Sequence, residues 1–198
     1  MKYFKKLIGE RIYLSPMNIE DAEKYVEWLS DFRTSDGTGK SANLLTVEAE
    51  RKWIESTLDS NEMVFAIVSL ENDKLIGNCA IMKVDYKDRT CELGIFIGEE
   101  ENRNKGYGAE ALQLLLDFGF NYQNMHNIHL TVKSFNERAI NCYKKIGFKE
   151  YGRRRESEFV NGNYYDRVYM DILDSEFEGS FIKNKNIFIC FQFFSLFL

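Results

Sequence analysis

The sequence predicts an α+β (mixed α/β) domain, whose central sheet is mixed but mostly antiparallel and is flanked by helices. Three observations predict it. Two stretches with apolar residues at helical spacing come first, and three runs rich in β-forming residues follow them. A strand–helix–strand unit spans residues 90–132, which predicts a right-handed crossover between parallel strands. The dipeptide Asn161-Gly162 then predicts a closing β-hairpin.

The N-terminal third is predicted to hold one short strand and two helices. Residues 11–14 alternate polar and apolar side chains, as a half-buried strand does. Asn18 and Thr46 are good N-cap residues, and each precedes an amphipathic stretch. The second of these helices should run to about Leu58. Residues 31–43 between the helices are rich in Ser, Thr, Gly and Asp, and this composition predicts a loop.

The rest of the chain alternates between predicted strands and helices. An antiparallel meander comes first, a helix follows a break rich in acids and glycines, and a strand, a helix and a hairpin complete the domain. Gly147 stands where the residue after a helix C-terminus is expected. In order, we predict strands at 63–70, 75–84 and 90–98, a helix whose buried stripe runs from Ala109 to Gly119, a strand at 128–132, a helix opened by Asn136, and strands at 148–160 and 163–173.

Composition excludes several classes of protein. The 198 residues are 44% apolar and 29% charged, so the chain can bury a core without disulfides or a structural metal. A net charge of −5 disfavours a nucleic-acid partner and suits a cationic substrate. No stretch is long and apolar enough for a membrane span. The four cysteines show no metal-ligand spacing, and with no signal peptide we expect reduced thiols in a cytoplasmic protein that holds no metal.

The C-terminal residues differ from the rest of the chain. Residues 181–198 end in an uncharged apolar run with five phenylalanines among the final 11 residues. We expect residues 1–176 to form the domain and residues 177–198 to be an apolar tail of unassigned role. An interaction strand, a foot on a membrane surface and an extension without function are all compatible with this tail.

A glycine-containing turn carries the first chemical signal. Residues 103–108, Arg-Asn-Lys-Gly-Tyr-Gly, follow a predicted strand and open a predicted helix, where unpaired N–H groups bind phosphate oxygens. Gly106 and Gly108 would let the backbone approach an anion and adopt positive φ, and Arg103 and Lys105 would add cationic donors. Taken alone, the pattern is equally typical of an ordinary turn. The preceding acids at 99–101 would repel a phosphate unless they point to solvent.

A second motif lies about 30 residues farther on. Asn136, Ala139, Tyr143 and Gly147-Phe148 form the pattern Asn-x-x-Ala-x-x-x-Tyr-x-x-x-Gly-Phe. Together with the turn, it resembles the GNAT superfamily of acetyl-CoA-dependent N-acetyltransferases over residues 8–173. The sequence is most similar to the branch with the ribosomal-protein (RimJ/RimL-like) and spermidine/diamine acetyltransferases.

The resemblance implies a GNAT fold in which two parallel central strands splay apart. The pantetheine arm of acetyl-CoA, the co-substrate, would lie in the gap, and its pyrophosphate would bind the amides of the turn. Tyr143 would face the thioester sulfur. The cofactor-binding residues implied are Ile95, Phe96, Ile97, Arg103, Asn104, Lys105, Gly106, Tyr107, Gly108, Ala109, Asn136 and Ala139.

Acetyl transfer needs a base, an oxyanion donor and an acid. We expect Glu92 to take the proton of the amine, a backbone N–H of Phe96 or Ile97 to stabilise the oxyanion, and Tyr143 to protonate the leaving thiolate. Alternatives stay open, since Tyr143 could be a core residue and Glu92 a salt-bridged carboxylate. Asn136 could serve as an N-cap. His126 and His129 are expected to be structural and to lie on opposite faces of a strand.

The acceptor is less well determined. A polyamine or diamine, an amino sugar or aminoglycoside, and a ribosomal-protein N-terminus all offer a primary amine. Acids in the N-terminal region favour a cationic acceptor, and these are Asp31, Asp36, Glu48, Glu50 and Glu55. A non-catalytic acyl-CoA-binding module is the alternative from another class. The sequence leaves a homo-oligomer open.

Overall fold

An eight-stranded sheet forms the centre of the molecule in a computed structural model that describes residues 2–58 and 60–182. Its strand order is β1-β2-β3-β4-β5-β6-β8-β7, and among these described strands only β5 and β6 pair in parallel. The predicted mixed, mostly antiparallel sheet is confirmed. The strands are β1 (Leu7–Ile8), β2 (Ile12–Pro16), β3 (Met63–Ser69), β4 (Leu75–Asp85), β5 (Thr90–Ile97), β6 (Asn127–Lys133), β7 (Lys149–Val160) and β8 (Asn163–Leu173).

Within residues 2–58 and 60–182, five α-helices flank the sheet. They are α1 (Ala22–Ser30), α2 (Phe32–Thr38), α3 (Val47–Leu58), α4 (Tyr107–Asn121) and α5 (Glu137–Ile146). Short 3₁₀ turns lie at Ile19–Asp21, Glu100–Asn102 and Asp174–Glu176. Across the described ranges, no helix combines the length and apolar character that crossing a membrane would take.

Helix α2 corrects the loop predicted for residues 31–43. Its first turn is capped by the Asp31 side chain, which accepts the N–H of Arg33 at 2.9 Å, and Gly39 ends it at φ 77°. Lys133 from β6 donates to the Asp36 carbonyl at 2.5 Å. Weak helix formers fill the segment, so the caps and this distant lysine stabilise a helix that local composition disfavours.

The sheet separates two layers of apolar side chains. Alternation along β5 sends Cys91 and Leu93 toward α4 and α5, where they join one buried cluster. Phe96 points to the opposite face, beside Trp28 of α1 and the second cluster, which Ile54 of α3 also joins. Helices α4 and α5 therefore cover one face, and α1 and α3 cover the other.

Strands β5 and β6 diverge after a short pairing. Residues 90–92 pair with residues 127–129, and the ladder between the two strands stops there. From Gly94 to Ile97, β5 keeps its antiparallel partner β4 but has no ladder partner on its other side among the described strands. The splayed parallel strands implied by the GNAT resemblance are confirmed.

Residues 177–182 pack against α4. The buried Asp117 carboxylate accepts the N–H groups of Phe181 and Ile182 at 2.6 and 2.9 Å, and Ile182 is only 5% exposed. The first residues of the predicted tail therefore belong to the packed structure. Residues 183–198 lie outside the described residues, so the predicted domain boundary and the role of the tail stay predictions.

Candidate active site

A cavity of about 1060 Å³ runs from the N-terminus of α4, past the gap between β5 and β6, to the sheet face beneath α2 and α3. Every catalytic and cofactor-binding residue predicted from the sequence lines this cavity except Lys105. Two motifs that are about 30 residues apart in the chain therefore meet in one site.

The turn before α4 presents three free amides. The helix begins at Tyr107, two residues earlier than predicted, and its first internal hydrogen bond runs from Glu110 N to Gly106 O at 3.0 Å. The N–H groups of Tyr107, Gly108 and Ala109 have no backbone acceptor in the described part of the chain. Three unpaired donors at the positive end of a helix form a site suited to phosphate.

Only one of the two glycines has the predicted positive φ. Gly106 caps α4 at φ 85°, whereas Gly108 is helical. A Cβ on Gly108 would lie 3.6 Å from the Ile95 side chain and 3.7 Å from that of Ile97. These are ordinary van der Waals distances, so a Cβ would fit at Gly108, whereas Gly106 supplies the left-handed turn.

The Arg103 guanidinium differs from its predicted role as a phosphate donor. It donates to Thr34 Oγ1 at 2.7 Å, to the Gly98 carbonyl at 3.0 Å and to the Ile97 carbonyl at 3.3 Å. Burial lowers its pKa. Because these bonds tie α2 to the end of β5, we interpret Arg103 as a residue that positions the walls of the site.

A network around Arg11 and Glu110 supports the turn, and no pattern in the sequence predicts it. Glu110 Oε1 accepts the N–H groups of Glu10, Arg11 and Ile12 at 2.7, 2.8 and 3.2 Å. Arg11 Nε donates to Glu110 Oε2 at 3.0 Å, and Arg11 Nη1 donates to the Lys105 carbonyl at 2.6 Å. These partners are about a hundred positions apart, so no local motif could have revealed them.

The direction of the backbone N–H and C=O groups in β5 distinguishes Ile97 from Phe96, which the sequence pattern alone could not do. Gly98 N donates to Ile76 O of β4 at 3.0 Å, and strand alternation turns the backbone groups of Phe96 the same way. The N–H and C=O groups of Ile95 and Ile97 therefore point into the gap between β5 and β6. Of the two proposed oxyanion donors, the geometry favours Ile97.

Helix α5 brings Tyr143 and Asn136 to the cavity. Burial raises the pKa of Tyr143 to about 12, so its hydroxyl keeps its proton at neutral pH. The Asn136 side chain caps α5 by accepting Ala139 N at 3.2 Å, as the alternative reading predicted. Gly147 ends the helix at φ 118°, in the predicted position.

Glu92 lies at the last paired position before the strands diverge. Its side chain is 13% exposed, and Oε2 lies 2.5 Å from Lys83 Nζ and 3.8 Å from His129 Nε2. It is therefore both a residue of the cavity wall and a salt-bridged carboxylate. His126 instead pairs with Asp174 at 3.0 Å, outside the site. His129, which the sequence predicts to be structural, is therefore a neighbour of Glu92.

The end of the cavity beneath α2 and α3 is rich in side-chain charge. Its carboxylates are Asp36, Glu50, Glu62 and Glu92, and its cations are Arg33 and Lys40. Lys40 Nζ lies 4.6 Å from the centre of the Trp53 ring, which shows that this wall accommodates an ammonium group on an aromatic face.

Comparison with known proteins identifies similar sequences and folds. The family described as "Acetyltransferase (GNAT) domain" matches residues 11–149. A spermidine N(1)-acetyltransferase of Vibrio cholerae is 32% identical over 130 residues, covering 66% of this chain and 74% of that protein. The N-acetyltransferase p20 of Bacillus licheniformis is 28% identical over 180 residues, covering 87% of this chain and 98% of that protein.

A solved structure shows the same fold. The crystal structure of a spermidine N-acetyltransferase from Vibrio cholerae in complex with CoA and spermine superimposes with a TM-score of 0.77 at 24% identity. The match covers 84% of this chain and 97% of that one.

Proposed function

Because the chain belongs to the GNAT acetyltransferase family, we propose that it moves the acetyl group of acetyl-CoA to a primary amine of a polyamine or diamine. One observation carries the proposal. A single cavity joins three unpaired helix amides, the open edge of β5 and the protonated phenol of Tyr143 to a wall rich in carboxylates.

The residues at the α4 end fit the CoA part of the co-substrate. The amides of Tyr107, Gly108 and Ala109 would hold the pyrophosphate, and the outward backbone groups of Ile95 would pair with the pantetheine amides. The Arg11–Glu110 network holds this turn in place. The cavity is large enough for a cofactor arm and a small acceptor together.

Three groups supply the chemistry in our proposal. Bound acetyl-CoA supplies an activated thioester. Glu92 accepts a proton from the amine, directly or through water, because a protonated alkylamine, with a pKa near about 10.4, has no lone pair. The Ile97 N–H stabilises the negative charge that develops on the carbonyl oxygen, and Tyr143 protonates the departing sulfur.

The enzyme itself need not be acetylated in this scheme. Direct attack in a ternary complex requires no nucleophilic side chain. Burial raises the pKa of the Cys142 thiol, which keeps it protonated and suits a packing role.

The carboxylate-rich wall and the relatives both support a cationic acceptor. Three of the similar proteins are spermidine acetyltransferases by name, and four carboxylates line the cavity. A ribosomal-protein N-terminus, an amino sugar and an aminoglycoside remain the alternative acceptors.

A screen of acetyl-CoA consumption tests the proposal. Purified protein is given acetyl-CoA and, separately, polyamines, diamines, amino sugars, aminoglycosides and N-terminal peptides. We expect the largest kcat/KM with a polyamine or diamine. Tight CoA binding without transfer to any amine would instead identify a binding module, and a preference for peptides or amino sugars would replace the acceptor class.

A further inference from the structure

Glu50 carries a carboxylate at a position of α3 where the amphipathic pattern of the helix predicts an apolar residue. It lies on the inward stripe of α3 with Ile54 and Thr57, four and seven residues later. The residue is only 2% exposed. Its Oε1 atom has no hydrogen-bond partner, and no ion pair joins it to any residue that the structure describes.

The Glu50 side chain forms part of the wall of the active-site cavity, next to Trp53. Burial raises the pKa of Glu50, and the charge of Lys40 opposes that rise without reaching ion-pair distance. A buried carboxylate without a partner is unfavourable, and leucine would fill the same space at lower cost. Because this carboxylate lies in the wall of the cavity, its expected partner is a positively charged group of a ligand.

We propose that the Glu50 carboxylate binds a second ammonium group of the acceptor and thereby selects di- and polyamines over monoamines. The inference rests on the proposed function, since it assigns the far end of the same acceptor. A diamine has one nitrogen that must lose its proton near Glu92 and another that stays charged. Glu92 on β5 and Glu50 on α3 would serve these two nitrogens separately.

The physical basis is the low dielectric around a carboxylate that the protein buries. An ammonium placed against a buried carboxylate forms charge-assisted hydrogen bonds that water does not weaken. The nearby indole face of Trp53, which Lys40 already contacts, offers a further favourable surface for a cation. A monoamine would leave Glu50 unpaired and gain neither interaction.

The test compares Glu50→Gln with the wild-type protein on diamines of increasing chain length and on monoamines of matched length. Removing one charged hydrogen-bond partner should raise the KM for spermidine and the best diamine by about tenfold to a hundredfold. The kcat, the KM for acetyl-CoA and the kcat/KM for monoamines should change by less than about twofold. Glu55→Gln, an exposed carboxylate on the same helix, is the control.

Stability measurements separate this role from a structural one. Because Glu50 is unpaired in the free protein, Glu50→Gln and the apolar variant Glu50→Leu should unfold at the same temperature as the wild type or higher. A fall in stability together with equal losses for monoamines and diamines would overturn the inference. Unchanged discrimination between the two amine classes would overturn it as well.

Direct binding keeps the two proposals distinguishable. Titration calorimetry of spermidine into the protein–CoA complex measures the Glu50 contribution without turnover. If the wild type binds spermidine and Glu50→Gln weakens that binding, the inference holds even where no acetyl transfer occurs and the proposed function has failed. If transfer to diamines is normal but both variants bind them as the wild type does, only the inference has failed.

Discussion

The two ends of the candidate active-site cavity are built from different parts of the chain. At the α4 end the ligand-facing groups are main-chain amides, held by a left-handed glycine and by hydrogen bonds between distant segments. At the α2–α3 end they are side chains, four of them carboxylates.

This difference determines which kind of ligand group each end of the cavity can bind. Backbone amides at a helix N-terminus bind a phosphate through main-chain groups, so the motif depends mainly on small residues at fixed spacing. Side chains on helices can change without altering the fold, so the other end can adapt to its acceptor. The substitutions below test whether the α4 end depends on its backbone geometry and the α2–α3 end on its side chains.

Tyr143→Phe should produce the largest effect and should act on the chemistry alone. Loss of the acid should lower kcat about a hundredfold to a thousandfold, with the KM for acetyl-CoA changed less than about twofold. Because the protonated phenol donates and burial raises the pKa of Tyr143 to about 12, the wild-type kcat should show no alkaline loss from this group until the pH approaches that value.

Steady-state kinetics with both substrates varied checks this prediction. Tyr164→Phe, which removes an exposed hydroxyl, is the matched control. Equal losses in kcat and in acetyl-CoA affinity would mean that Tyr143 is a packing residue.

Glu92→Gln should lower kcat about a hundredfold at neutral pH, since the amine then loses its proton without a base. The deficit should shrink as the pH rises toward about 10.4, where free amine becomes abundant. Rates measured across this pH range provide the check. If Glu92 matters only through its ion pair, Lys83→Met should be equally damaging, whereas our proposal expects that variant to stay active.

Gly106→Val should weaken CoA binding at the α4 end of the cavity and leave the rate of acetyl transfer unchanged. A side chain at φ 85° costs about 1–2 kcal/mol in backbone strain, and its Cβ would lie 2.9 Å from Arg11 Nη2. We expect the Kd for CoA to rise about tenfold to a hundredfold by calorimetry. Gly152→Val, where nothing lies within 4 Å of the new Cβ, is the control, and an unchanged Kd for Gly106→Val would place the phosphate elsewhere.

Glu110→Gln should have the smallest effect, and it tests whether the Arg11–Glu110 network supports CoA binding. Weaker acceptance of three backbone N–H groups and of Arg11 should cost about 1–3 kcal/mol of unfolding free energy, and the Kd for CoA should rise about threefold to tenfold. Urea unfolding and CoA titration measure the two. Glu137→Gln, an exposed acid in the first turn of α5, controls for the helix dipole. A stability loss with normal CoA affinity would limit Glu110 to holding the scaffold.

The strands were predictable because their alternation is local. The hairpin around Asn161-Gly162, the meander and the crossover from β5 to β6 all agree with the pattern of apolar residues. Helix α2 was missed because Ser, Thr, Gly and Asp dominate its sequence, although its two signals, Asp31 and Gly39, are visible once the helix is known. The two-residue strand β1 is too short to leave a pattern.

By itself, the sequence determined the fold class, the position of the glycine-containing turn and the tyrosine of the second motif, since each depends on residue types at short fixed spacing. Tertiary structure alone decided which residues meet across the cavity. It paired Arg11 with Glu110 and with the Lys105 carbonyl, and it directed Arg103 to Thr34. It turned the backbone of Ile97, and not that of Phe96, into the gap between β5 and β6. It also left Glu50 buried without a partner among the described residues. Such contacts join segments far apart in the chain, and only the packing of the whole domain fixes their geometry.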